Sequence, residues 1–211
     1  MDFTFSPEEQ ALQDSVRRFA RGELQEAAGE IERSGESPGP EIMRKYAEMG
    51  LLGINLPEAY GGQGLGHLEA VIALEEVAKI SPALAFPIFE SSFGPVLAIA
   101  HFAEEALKQK VIPQVCRGEL VVAVSMSEAG AGTALTDLST RAVEKGGELV
   151  IKGAKRWCSG AGHAGAYVVY TRLSDDPGAK GIGAVLVEKD RPGVTFGKPE
   201  KHMGPRGMQR G

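Results

Sequence analysis

The sequence predicts an α+β protein: an N-terminal all-α helical domain over residues 1–118, then an antiparallel β-barrel or sandwich domain over residues 119–211. Two observations carry this. Apolar residues recur at helical spacing through the first part, and from Glu119 onward the period changes to two, with short β-branched runs between glycine-rich turns. Composition agrees, since 43% hydrophobic and 24% charged residues in a chain of 211 is the balance of a folded domain rather than a disordered one.

The first helix starts at Ser6-Pro7-Glu8-Glu9. There a hydroxyl can cap, proline fits the first turn, and Glu9 can reach back to the cap amide. Leu12, Val16, Phe19 and Leu24 then share one face. Proline and glycine at Pro38 to Pro40 break the chain, and "EIMRKYAEMGLL" resumes the pattern with Met43, Tyr46, Ala47 and Leu51. After the loop "PEAYGGQGLG", Leu68, Val71, Leu74, Glu75 and Ala78 predict the packed face of a third helix. Beyond Ser81-Pro82, "FGPVLAIAHF" and "EEALKQKVIPQV" supply further apolar helical segments.

The strands follow as "ELVVAVSMS", "LSTRAVEK", "ELVIKGAKRW", "AYVVYTRL" and "IGAVLVEK". Gly146-Gly147, Gly160 to Gly165 and Asp175 to Gly181 mark the turns between them. Neither an internal repeat nor a low-complexity tract is visible.

Charge and composition narrow the function. The formal net charge is −5 and no block of Lys and Arg is long enough to follow a phosphate backbone, so nucleic acid is not an expected partner. Two cysteines, Cys116 and Cys158, stand far apart, which suggests neither a disulfide framework nor a zinc site and fits a reducing, cytoplasmic setting. His67, His101, His163 and His202 stand at no ligand spacing and read as surface or loop residues. Arg206 reads as a solvated loop arginine. The N-terminus lacks a basic and apolar leader, and no apolar run reaches the roughly 18 residues of a spanning helix.

The stretch "VVAVSMSEAGAGTALTDLST", Val121 to Thr140, invites comparison with a phosphate loop. A P-loop needs Lys and then Ser or Thr after its last glycine, and "AGAGTALT" has neither. A dinucleotide fingerprint needs its glycines between a strand and a helix, whereas Gly130 and Gly132 lie between strands. A flexible hairpin remains open on the glycines alone. "KRWCSGAG" adds the only tryptophan, Trp157, at a strand end, with Ser159 two residues on. A lone tryptophan is more often core than cofactor contact. Together, however, two strand ends bearing hydroxyls and an aromatic wall would suit a flat, hydrogen-bonding, redox-active ring.

With these residues in view the chain resembles the acyl-CoA dehydrogenase family from end to end. "EMGLLGINLPEAYGGQGLG", "EEALKQKVIPQVCRGELVVAVSMSEAGAGTALTDLSTRA", "IKGAKRWCSGAGHAGAYVVYTR" and "KHMGPRGMQRG" are similar to four family landmarks in the right order. The resemblance implies FAD as cofactor and an acyl-CoA thioester as substrate, with α,β-dehydrogenation and hydride transfer to flavin N5. It places Val124, Ser125, Met126, Ser127, Gly132, Thr133, Trp157, Cys158 and Ser159 at the flavin, Thr133 also touching substrate. Ser127 would donate toward N1 and the C2 carbonyl, Ser159 would orient N5, and Trp157 would exclude water from one side. By the same match no residue here is the catalytic base. The family's Glu lies in a C-terminal helical domain beyond Gly211, which would also carry the homo-oligomer, and Glu128 is not its counterpart.

The chain departs from the family where Ser127-Glu128-Ala129 replaces Thr-Glu-Pro, Thr133-Ala134 replaces Ser-Asp, and Val124 replaces a frequent aromatic. Alone, the chain is expected to bind FAD weakly and not to turn over. An electron-transfer flavoprotein is the implied electron acceptor. A flavin-dependent desulfinase or oxidase of the same superfamily, or a non-catalytic flavin- or partner-binding module, are the alternative readings.

Overall fold

The computed structural model describes residues 4–201, 203–208 and 211. They form two compact units, one reaching to Val121 and joined by Lys201–Met208, the other built on Val122–Glu200 and the last residues of the chain.

In the helical unit, α1 (Pro7–Glu23) opens with the capping box read from the sequence. The Glu9 amide donates to the Ser6 hydroxyl at 3.1 Å, and the Glu9 carboxylate accepts from the Ser6 amide at 2.6 Å. A second helix, α2 (Gln25–Ser34), follows after Leu24 alone and ends at Gly35 with φ 75°. The periodicity shows no breaker between the two helices, so the sequence does not separate them. Next come α3 (Pro40–Glu48), α4 (His67–Ala78), α5 (Pro82–Ser92), α6 (Pro95–Phe102) and α7 (Glu105–Cys116). Of these α5, with Pro87 in its middle, has no counterpart among the sequence-predicted helices.

The core joins Val16 and Ala20 of α1 to Tyr46 of α3, Ala73 and Val77 of α4, and Leu84 and Ile88 of α5. Tyr46 is fully buried and donates its hydroxyl to the Leu84 carbonyl at 2.8 Å, which satisfies the polar atom that its burial would otherwise strand. Met208 completes this core from the far end of the chain. Beside it a side chain on Gly207 (φ 82°) would meet Ile31 at 2.3 Å. Arg206 is an exposed turn arginine, and its guanidinium lies 3.5 Å from the equally exposed Glu32 carboxylate on α2.

Of the apolar residues that mark helix α4 in the sequence, Leu74 and Ala78 pack against the core, but its most buried face is a neighbouring one. Ala70, Ala73 and Val77 are buried with Ile72 and Glu76, while Leu68 and Val71 stay exposed. Small residues let α4 approach α1 and α5 closely, and Glu76 meets Arg17 of α1 through two hydrogen bonds of 3.0 and 3.1 Å. Backbone proximity and a charged pair outweigh side-chain size there. The expectation that no stretch is apolar enough to span a membrane also needs correction, because Pro82–Phe102 has that length and composition. It is divided at Phe93 and Gly94 into α5 and α6 and is more than half buried within the unit, as a core helix pair would be.

The second unit is a five-stranded sheet: β1 (Val122–Ser125), β2 (Arg141–Lys145), β3 (Glu148–Lys152), β4 (Ala166–Arg172) and β5 (Ile182–Glu188). The five strands fall in the predicted segments, but β3 stops at Lys152, so Trp157, expected at a strand end, lies in the loop five residues beyond it, and the sheet is mixed rather than antiparallel. β4 pairs antiparallel with β5 along its whole length, parallel with β1 from Val122↔Ala166 to Ser125↔Val169, and parallel with β2 at Arg141↔Arg172. Alternation reports a half-buried strand and not its direction. The long connection from β1 to β4, which holds the β2–β3 hairpin, allows a parallel return. That hairpin turns at Gly146 and Gly147, both at positive φ (63° and 81°), as a two-residue primed turn requires.

Candidate functional site

The sequence-predicted site residues fall in the sheet unit, on the segment leaving β1 and the segment that follows β3. These two segments lie side by side. The Arg156 amide donates to the Ser127 carbonyl at 2.9 Å, and the Cys158 thiol lies 3.3 Å from the Val124 carbonyl. Lys155 adds a third tie, its ammonium donating to the Met126 carbonyl at 3.0 Å. Val124, Met126 and Ser127 are half-buried and Ser125 is buried.

Beyond Ser127 the chain closes a tight bridge, with Glu128 and Ala131 exchanging amide and carbonyl bonds of 3.0 and 3.1 Å. Gly132 and Thr133 follow it, both exposed. Gly130 and Gly132 have neither a positive φ nor any atom within 4 Å of where a side chain would start. Neither backbone strain nor internal packing therefore demands glycine there, and both positions leave open space above the backbone.

Trp157 is the only non-glycine residue at positive φ (58°) among the described residues. A left-handed backbone costs an L-residue roughly 1–2 kcal/mol, and it holds the indole half-exposed at the turn rather than in the core. The Arg156 guanidinium lies 5.1 Å from the indole centroid. Cys158 is buried and exchanges backbone bonds with Gly211 at 2.9 and 3.3 Å, which seats the turn. Ser159 follows half-buried, and the hydroxyls of Ser127, Thr133 and Ser159 take no protein partner among the described residues. Ser127, on the segment tied to Arg156, and Ser159, two residues after the exposed indole, offer hydroxyls on the same two segments as an aromatic face, a set able to hydrogen-bond and stack against a flat polar ring.

The electrostatic centre of this region is a residue the sequence reading passed over as a functional candidate. Glu128 is buried, and its carboxylate accepts from the Ser139 amide and hydroxyl at 2.7 Å each, from the Thr140 amide at 2.9 Å and from the Lys155 ammonium at 2.9 Å. Burial by itself would raise its pKa, but Lys155 and the Thr140 and Ser139 donors more than offset this and hold it well below the usual carboxylate range. A carboxylate so saturated has no lone pair free to take a proton, which rules it out as a general base on physical grounds. The signal available was a glutamate in an otherwise small and polar turn, with a lysine two residues before the tryptophan.

A second buried carboxyl, Glu90 of α5, lies in the helical unit, where burial pushes its pKa up to about 8. Among the described residues no group of three or more His, Cys, Asp or Glu side chains is placed to hold a metal ion. His202 lies outside the described residues.

The N-terminal domain of acyl-CoA dehydrogenase matches residues 6–119 and the middle domain of the same family matches residues 123–211. Isovaleryl-CoA dehydrogenase of Pongo abelii is 34% identical over 96% of this chain and 48% of its own length. Acryloyl-CoA reductase (NADH) of Anaerotignum propionicum is 35% identical over 99% of this chain and 53% of its own length. Among solved structures, the glutaryl-coenzyme A dehydrogenase–glutaryl-CoA complex superposes with a TM-score of 0.93 at 29% identity, covering 100% of this chain and 54% of that one. The chain thus spans about half the length of the curated relatives it matches.

Proposed function

The chain belongs to the acyl-CoA dehydrogenase family, and from that premise we propose that its sheet unit forms the flavin-facing wall of an FAD-dependent acyl-CoA dehydrogenase. One observation carries the reading: the Arg156–Ser127 and Cys158–Val124 contacts bring the hydroxyl-bearing strand end beside the exposed Trp157. The open positions at Gly130 and Gly132 fit the close approach of such a ring.

FAD bound there would supply the hydride acceptor for removal of a β-hydrogen from an acyl-CoA thioester. Ser127 would offer its hydroxyl or amide to the edge of the ring where negative charge develops, and a fixed donor in a partly dry site stabilises that charge more than water does. Trp157 would cover one side of the ring and keep water from it. Ser159 would hold N5, and Thr133 would meet both cofactor and substrate. Val124, Ser125, Met126, Gly132 and Cys158 would line the remaining contact. Proton abstraction next to the thioester needs a free carboxylate within hydrogen-bond reach, and Glu128, saturated by four donors, is not that group. No described residue is assigned as the base, and homo-oligomerisation and an electron-transfer flavoprotein as electron acceptor, in a cytoplasmic setting, complete the reading.

Anaerobic titration of the FAD-loaded protein with saturated acyl-CoA tests the reading. Bleaching of the flavin absorbance is expected once a segment that supplies the catalytic base completes the site, whereas this chain alone is expected to bind FAD weakly and not to bleach. Flavin that binds the completed site without bleaching would instead indicate a desulfinase, an oxidase or a binding module, and failure to take up FAD at all would overturn the assignment.

A further inference from the structure

We infer that Glu128 and Lys155 are positioning residues for the flavin site: a buried ion pair that fixes the direction of the Ser127 amide and balances charge beside the ring. The inference rests on the flavin reading above. Glu128 directly follows Ser127, and Lys155 stands two residues before Trp157, so one ion pair spans both segments of the site. Its side chains are 7% and 10% exposed, which places the pair under the surface that the two segments present.

The geometry gives Lys155 a second task. Its ammonium holds the Met126 carbonyl at 3.0 Å as well as the Glu128 carboxylate at 2.9 Å. A trans peptide directs its C=O and N–H in opposite senses, so a carbonyl anchored on Lys155 turns the Ser127 N–H away from that lysine. The Arg156 amide anchors the next carbonyl, that of Ser127, and with both peptide planes pinned Ser127 cannot rotate freely. Glu128 in turn keeps the lysine in place and draws Ser139 and Thr140 onto the same point. The pair touches neither reacting atom. It acts through Ser127 and through charge, because a buried cation or anion left unpaired acts through a low-dielectric medium on any redox group nearby.

The test uses the FAD-loaded protein and the variants Glu128→Gln, Lys155→Met and Lys155→Arg, reading FAD affinity and the flavin reduction potential. Glu128→Gln and Lys155→Met are each expected to weaken FAD binding at least tenfold. Their potentials are expected to move in opposite directions, upward where a buried cation is left to favour the reduced, anionic ring and downward where a buried carboxylate opposes it. Lys155→Arg keeps the charge and is expected to hold the wild-type potential. A purely structural tie predicts looser binding in both neutralising variants with no opposed shifts. Potentials that stay put, or that move the same way in both, overturn the inference while leaving the flavin reading intact. Wild-type protein that takes up no FAD overturns the flavin reading itself. If Glu128→Gln does not fold, the contrast between Lys155→Met and Lys155→Arg decides the matter, since equal potentials in those two also overturn it.

Discussion

The Arg156 amide and the Ser127 carbonyl, 29 residues apart in the chain, meet at 2.9 Å and align the segment that carries Ser127 with the segment that carries Trp157. This contact ties the segment leaving β1 to the loop that follows β3. Trp157, in its left-handed backbone, stands between this contact and the backbone bonds that Cys158 exchanges with Gly211.

Trp157→Gly should therefore separate stability from binding. Glycine adopts a φ of 58° without the penalty paid by tryptophan, while its greater freedom in the unfolded chain costs roughly 0.5–1 kcal/mol. The half-exposed indole adds little burial. Thermal unfolding should show a midpoint no lower than wild type by more than a few degrees, while FAD affinity measured by flavin fluorescence falls at least tenfold. A large loss of stability with unchanged affinity would mean that the indole is a core residue after all.

Glu128 sets an acid limit. Its folded pKa lies below the ordinary value near 4.5, so the stability it contributes is fully present above that value and is lost as pH falls toward its depressed folded value. Lys155 is buried beside it, so Glu128→Gln leaves an unpaired cation and should cost about 3–5 kcal/mol at pH 7. Urea denaturation at pH 7 and pH 4 would measure both. The gap between wild type and variant should narrow at the lower pH, and a constant gap would count against an ionised Glu128.

Glu90 has the opposite sign. Burial lifts its folded pKa to about 8 against an unfolded value near 4.5, so the folded state favours the neutral carboxyl. Its contribution is complete below the unfolded pKa and is lost as pH rises toward 8, amounting to about 3 kcal/mol by pH 7 from a cost near 1.4 kcal/mol per unit. Glu90→Gln should flatten the stability profile between pH 5 and pH 8 and leave the variant more stable than wild type at the upper end. Parallel profiles for the two proteins would show that Glu90 is ionised in the fold.

Much of this could be read before the fold was known. Ser6 to Glu9 announced the first helix because a capping box is a local device, and the period of two located all five strands because a half-buried strand writes its face into the chain. The two motifs proposed to form the site were visible in the chain, but nothing local to either reveals that Arg156 bonds Ser127. Strand direction was not legible, since alternation is the same in parallel and antiparallel pairs. The most buried face of α4 was missed because alanines approach α1 more closely than leucine and valine would. Glu128 was overlooked as a positioning group because its four donors come from Ser139, Thr140 and Lys155, distant in sequence.

The Arg17–Glu76 pair ties α1 to α4 in the helical unit, with Lys79 adding a bond of 2.8 Å to the same carboxylate. Glu76 is 2% exposed, so Arg17→Ala removes the bidentate partner of a buried charge and should destabilise the unit by about 3 kcal/mol. Adding Glu76→Leu should recover much of that loss, because an apolar group of similar size no longer needs a partner. Chemical denaturation of the single and double variants would check this, and a double variant no more stable than Arg17→Ala would show that the pair contributes little.

Gly130 and Gly132 offer the sharpest separation of fold from function. Both lie outside the positive-φ region and face open space, so alanine at either position meets no atom within 4 Å. On folding grounds alone Gly130→Ala and Gly132→Ala should be neutral or stabilising, by about 0.4–1 kcal/mol each, because alanine restricts the unfolded chain. A methyl group on a surface that a flat cofactor must approach closely has the opposite effect on binding. The expected result is an unfolding midpoint at or above wild type with FAD affinity reduced several-fold in at least one variant, read by calorimetry and flavin titration on the same preparations. If both variants bind FAD as wild type does, the glycines are ordinary loop residues and the cofactor lies elsewhere along the strand end.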